Sequence, residues 1–96
     1  MARYIMLLNW TDQGVRNAKQ TVQRAGAARQ AFEKAGAKLT EIYWTLGQHD
    51  LVIVAEAPND ETITALGIQL GALGNVRTTT LRAFDEREME QILKKT

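Results

Sequence analysis

The sequence predicts an α+β fold: a four-stranded antiparallel sheet, two helices on one of its faces, and an extra C-terminal helix. Three observations carry this. The runs Tyr4-Ile5-Met6-Leu7-Leu8 and Leu51-Val52-Ile53-Val54-Ala55 show no polar alternation. Such runs belong to strands covered on both faces, so both are placed at the centre of a sheet. Between Leu39 and Ala57, two stretches rich in β-branched and aromatic residues flank the turn Gly47-Gln48-His49-Asp50, which reads as a hairpin. Two other stretches repeat apolar or small residues at steps of three and four, the period of a helix.

In chain order, the first strand ends at Asn9-Trp10-Thr11-Asp12. Thr11 or Asp12 can cap the following helix, because either side chain accepts from free first-turn amides. That helix places Val15, Ala18, Val22, Ala25, Ala28, Phe32 and Ala35 on one stripe. Gly26 weakens it by ~1 kcal/mol relative to Ala, which predicts a break near Thr21–Gly26. Gly36 is the natural stop. Thr40–Leu46 alternates as a half-covered strand does. After the hairpin, Asn59 caps a second helix, with Asp60 and Glu61 at its positive end. Its buried stripe is Ile63, Leu66, Leu70 and Leu73, and Gly67, Gly71 and Gly74 permit close approach to the sheet. Val76–Phe84 reads as an edge strand of mixed polarity. Asp85-Glu86-Arg87-Glu88 is a capping box, and it starts a short helix with Met89, Ile92 and Leu93 turned inward.

This order is the split βαβ pattern of a ferredoxin-like βαββαβ fold. The predicted sheet order is fourth, first, third, second, which puts both unalternating runs in the middle. Alternation along the strands then assigns faces. The helix-covered face is expected to take Ile5, Leu7, Ile42, Trp44, Leu46, Leu51, Ile53, Ala55, Leu81 and Ala83. The open face is expected to take Tyr4, Met6, Leu8, Trp10, Glu41, Tyr43, Thr45, Val52, Val54, Glu56, Thr78, Thr80 and Arg82. Met6, Leu8, Val52 and Val54 would form its apolar centre. A monomer rarely leaves such a patch wet, so a homodimer packed sheet to sheet is expected. The alternative is that the terminal helix folds over this face.

Composition sets the frame. A chain of 96 residues suits one domain over 1–96. Its 45% apolar content is that of a globular protein. Twelve basic and 11 acidic residues give a formal charge of +1, without the basic excess of a nucleic-acid binder. There is no cysteine, which excludes disulfides and thiolate metal sites. No apolar run is long enough to span a bilayer and no signal-peptide pattern opens the sequence. A soluble, cytoplasmic protein without a cofactor is expected.

The topology brings Asn9, Trp10, Thr45, His49, Asp50, Asn75, Arg77 and Thr78 to one end of the sheet, with Tyr43 beside them on the open face. Tyr4, Glu56 and Arg82 fall near the opposite end. Polar clusters flanking an apolar floor are how a small-molecule pocket is usually built. Asn9, Trp10, Tyr43, Thr45, His49, Asp50, Arg77 and Thr78 are therefore the candidate ligand-binding residues.

The segments Asn9-Trp10-Thr11-Asp12-Gln13-Gly14, Gly47-Gln48-His49-Asp50, Glu56-Ala57-Pro58 and Gly74-Asn75-Val76-Arg77-Thr78-Thr79-Thr80 resemble the GYD domain family over nearly the whole chain. That family is named for a Gly-x-Tyr-Asp turn, and here His49 stands at the tyrosine position. The resemblance implies a ferredoxin-like domain akin to the dimeric α/β-barrel group and a family without an established activity. It transfers no catalytic residue.

Chemistry at the candidate site divides between roles. His49, the one histidine, could serve as a general base or pH-sensitive group beside Asp50; a lone histidine in a turn is more often a solvated loop residue. Asp50 can equally bond the turn amides. One histidine among scattered carboxylates makes no metal site. Asn9, Trp10, Trp44 and His49 match, in residue type but not in spacing, the Asn, Trp and His that cofactor-independent and haem-degrading monooxygenases of the dimeric α/β-barrel group hold between helices and sheet. Gly67-x-x-x-Gly71 lacks the lysine of a phosphate loop and reads as helix–sheet packing. The preferred reading is a small homo-oligomeric protein that binds a small molecule or acts in regulation. A monooxygenase-like enzyme and a structural assembly module are the alternatives.

Overall fold

A computed structural model describes residues 1–96. The elements run β1 (Ala2–Trp10), α1 (Asp12–Arg16), α2 (Thr21–Lys34), β2 (Lys38–Trp44), β3 (Leu51–Ala57), α3 (Asp60–Ala72), β4 (Val76–Ala83) and α4 (Glu86–Leu93). The sheet order is β2-β3-β1-β4, all pairs antiparallel. This is the ferredoxin-like arrangement, with the two unalternating strands at the centre.

The local signals explain the element ends. Thr11 caps α1 by accepting from the Gly14 amide at 3.1 Å. The predicted break comes before Thr21–Gly26, at Asn17 and a single 3-10 turn, Ala18–Gln20. Gly26 itself sits in unbroken helix. Gly36 follows the α2 C-cap at φ 80°, a conformation open to glycine at no steric cost. Asn59 caps α3, accepting from the Thr62 amide at 2.9 Å. The capping box of α4 closes in both directions between Asp85 and Glu88.

The core lies between α2, α3 and one face of the sheet. Phe32, Met6, Ile53 and Leu66 are its largest fully buried side chains, joined by Tyr4, Leu8, Leu39, Leu51 and Ile63. The face assignment expected for β2 and β3 is the one observed: Ile42, Leu51, Ile53 and Ala55 face the helices, while Glu41, Tyr43, Val52, Val54 and Glu56 face away. Leu39 and Ile42 share the helix side despite their odd spacing because a bulge at Thr40 resets the phase.

For β1 and β4 the expected phase is inverted. Met6 pairs with Ile53 and Leu8 with Leu51, which forces Tyr4, Met6, Leu8 and Trp10 under the helices and turns Ile5 and Leu7 outward. In β4 the partners of these residues, Thr78, Thr80 and Arg82, lie on the helix side, and Leu81 and Ala83 on the open one. The apolar centre of the open face is thus Ile5, Leu7, Val52 and Val54, with Tyr43 and Leu81 beside it. Thr45 and Leu46 lie beyond β2, in the connection to β3, and Leu46 is fully exposed. The helix stripes are also narrower than predicted: Val15, Val22, Ala35 and Leu73 are exposed. The terminal helix leaves Met89 and Leu93 exposed where they were expected inward. It is tied to the sheet by Arg82–Glu88 at 3.4 Å and Arg3–Asp85 at 3.9 Å.

Candidate functional site

A cavity of about 440 Å³ opens between α2, α3 and the helix-covered face of the sheet, where Leu8, Trp10, Ile42, Leu51 and Ile53 line it. Its cause is legible in α2. Phe32 fills the C-terminal part of the layer under α2, but the residues that line the space ahead of it are Ala25, Ala28 and Ala31. A helix packed on a sheet usually fills this layer with larger side chains, and three alanines leave the space between them and Leu51, Ile53 and Leu70 unfilled. Fifteen of its 19 lining residues are apolar. The polar ones are Thr21, Arg24, Gln69 and Asn75. Trp10 lines the same space, and its indole Nε1 is buried without a hydrogen-bond partner. An orphaned buried donor carries a cost of ~1–3 kcal/mol. Arg24 donates from Nη1 to the Asn17 carbonyl at 2.7 Å and from Nη2 to the Gly14 carbonyl at 3.5 Å. It has no carboxylate in ion-pair range.

The sequence-predicted site residues divide into two groups. Asn9, Thr45, His49 and Asp50 do meet at the end of the sheet. Asn9 donates from Nδ2 to the Gln48 carbonyl at 2.7 Å, and its Oδ1 lies 2.8 Å from His49 Nδ1. Because Oδ1 is the acceptor end of that amide, His49 carries hydrogen on Nδ1. Thr45 donates to the His49 carbonyl at 2.6 Å, and Asp50 Oδ2 accepts from the Trp10 amide at 2.8 Å. These bonds pin the β2–β3 connection onto β1. Arg77 is opposite Asn9 on the open side. Tyr43 lies on the same side and donates to Glu41 at 2.9 Å, and that carboxylate holds its phenol pKa above the usual value. Trp10 and Thr78 are on the other side of the sheet, under the helices. Trp10 is the only one of the eight that reaches the cavity, so the Asn, Trp and His of the monooxygenase comparison do not share a pocket here. Trp44 is half exposed and donates from Nε1 to Thr21 at 3.0 Å, on the cavity rim.

Sequence reasoning missed Arg24 and Gln69. Arg24 had one signal: no acidic residue stands three or four positions from it, in a run of small residues.

A second polar cluster sits at the far end, where Tyr4 and Arg82 were placed. The Tyr4 hydroxyl donates to Asp60 Oδ1 at 2.5 Å. Burial, then the hydrogen bond and charge of Asp60, push the phenol up to about 12. The Arg82 guanidinium lies 5.7 Å from the Tyr4 ring centroid and 4.5 Å from that of Phe84. Glu56 instead pairs with Arg3 at 3.5 Å on the open face.

The conspicuous segments Asn9–Gly14 and Gly74–Thr80 clasp each other. The Thr11 amide donates to Asn75 O at 3.1 Å, the Thr11 hydroxyl to Gly74 O at 2.5 Å, and Gln13 Nε2 to Leu73 O and Asn75 Oδ1. Gly14 is buried against this turn, and a Cβ on it would overlap the Asn75 carbonyl oxygen. The clasp forms one wall of the cavity through Trp10, Leu73 and Asn75.

Fold and clasp together define a small ferredoxin-like α+β protein with an apolar cavity between helices and sheet. The chain belongs to the GYD domain family, whose pattern it matches over residues 4–93. Among solved structures it is similar to the crystal structure of TTHA0845 from Thermus thermophilus, with 24% identity, 88% of this chain and 95% of that one covered, and a TM-score of 0.57. That likeness concerns the fold. No curated protein matches the sequence. No helix is long and apolar enough to cross a membrane.

Proposed function

We propose that this protein binds a small, largely apolar molecule in the cavity between α2, α3 and the sheet, and does so as a homo-oligomer. The observation that carries the reading is the apolar space of about 440 Å³ itself, which Ala25, Ala28 and Ala31 leave open above the sheet. A ligand with an apolar body would fill the void, and pockets of this size with few polar groups are the usual small-molecule sites. The open face favours self-association: Ile5, Leu7, Val52 and Val54 make a continuous apolar centre. Arg3, Glu41, Glu56 and Arg77 give it a rim of both charge signs.

Native mass spectrometry of freshly purified protein tests both parts. The expected result is a multiple of the chain mass carrying a retained small molecule. Ala28→Phe, which fills the cavity from α2, is expected to lose the molecule and keep the fold. A protein that retains nothing, and whose tryptophan emission responds to no apolar probe in the native form or in Ala28→Phe, would refute the binding reading.

A further inference from the structure

We infer that the ligand is an amphiphilic carboxylate, its apolar body in the cavity and its carboxylate at Arg24. This rests on the cavity reading above and goes further, because it assigns the charge of the ligand. Among the residues lining the cavity, Arg24 is the only charged one; no Asp or Glu reaches it. The guanidinium is always charged. A guanidinium makes its strongest bonds to a carboxylate, and this half-buried one has main-chain carbonyls alone, from Asn17 and Gly14. Those take two of the five N–H donors that a guanidinium offers. The remaining donors have no protein acceptor, at the mouth of a space with no other charge.

The other polar side chains at the rim do not compete for that role. Thr21, Gln69 and Asn75 can donate neutral hydrogen bonds, but none carries a charge to match an anion. The lining therefore carries a charge gradient, from one cation at the mouth to hydrocarbon inside. That gradient matches a molecule with one anionic end. A single guanidinium suits a monoanion; a phosphate ester would normally call on more than one cation or a cluster of amide donors.

Isothermal titration calorimetry of the full chain with octanoate and with 1-octanol separates the outcomes. The two probes share a body and differ in head charge. Octanoate is expected to bind about tenfold or more tightly than the alcohol, as a charge-assisted hydrogen bond at a shielded site implies. Arg24→Gln is expected to erase the difference, and Arg24→Lys to keep part of it, since lysine holds the charge without the fork. Should Arg24→Gln fail to fold, the octanoate-to-octanol ratio of the native chain and of Arg24→Lys still decides. Equal binding of the two probes would overturn the carboxylate and leave the cavity reading standing. A folded chain that takes neither probe would overturn both.

Discussion

Replacing Gly14 with alanine tests how tightly the clasp is built. Gly14 has an ordinary helical backbone, so its need for glycine is spatial and not conformational. The new methyl would overlap the Asn75 carbonyl oxygen and press on the Asn75 carbonyl carbon at 3.0 Å and on Trp10 Cδ1 at 3.2 Å. The oxygen cannot turn aside, because it accepts from the Thr11 amide. The α1 turn must lift instead, which strains the bonds from Thr11 and Gln13 to Leu73, Gly74 and Asn75. Overpacking costs ~1–3 kcal/mol, and each weakened hydrogen bond adds ~1 kcal/mol. Against this, alanine gains ~1 kcal/mol of helix propensity. The net expectation is a loss of about 2–3 kcal/mol. Gly26→Ala is the control: it too lies in a helix, but a Cβ there meets nothing within 4 Å. It should raise stability by ~0.5–1 kcal/mol. Urea unfolding followed by circular dichroism, with equal slopes for the three proteins, reads both values. If Gly14→Ala unfolded at or above the native midpoint, the clasp would not have the tightness argued here.

Three further outcomes follow from the same structure. Tyr4 titrates at about 12 in the fold against about 10 unfolded, so the folded chain keeps this proton to higher pH. The associated stability is intact below pH ~10 and is lost as pH rises towards ~12. The shift sets an upper limit of about 3 kcal/mol, and screening at the exposed Asp60 reduces it to ~1–2 kcal/mol. Urea midpoints measured from about pH 8 to 11 should fall more steeply for the native protein than for Tyr4→Phe; parallel curves would contradict the assignment. Val54→Lys puts a charge in the centre of the open face and should shift the sedimentation coefficient to that of a single chain, with stability of the fold changed by under ~1 kcal/mol. An unchanged coefficient would remove this face from any assembly. Trp44→Phe removes the bond to Thr21 on an exposed rim, so it should cost no more than ~1 kcal/mol by thermal melting.

The order and pairing of the elements could be read from the sequence because their signals are local and agree: two apolar runs, three side-chain caps and a hairpin. The phase of β1 could not. Tyr4, Ile5, Met6, Leu7 and Leu8 are all acceptable in a core, so the run satisfies either orientation, and only the pairing of Met6 with Ile53 selects one. Trp10 was therefore placed on the wrong side of the sheet, and β4 followed it. Composition likewise showed the alanines of α2 as a helical stripe. That they line a space and do not close one depends on the distance between helix and sheet, which no periodicity encodes. Residues that hold the β2–β3 connection in place, Asn9, His49 and Asp50, do come together, yet they bond each other and the backbone of Trp10 and Gln48. Polarity at a converging end marks an architectural joint as readily as a pocket.

The central position of β1 bears on how the chain is made. Its partners are Leu51–Ala57 on one side and Val76–Ala83 on the other. While a ribosome is still translating residues beyond Trp10, the greasy segment Tyr4–Leu8 has nothing to pair with, and one of its edges stays bare until β4 emerges. Such distant pairing slows folding and prolongs exposure of sticky strand. Until β4 emerges, Tyr4–Leu8 is the stretch of nascent chain that a chaperone would need to shield.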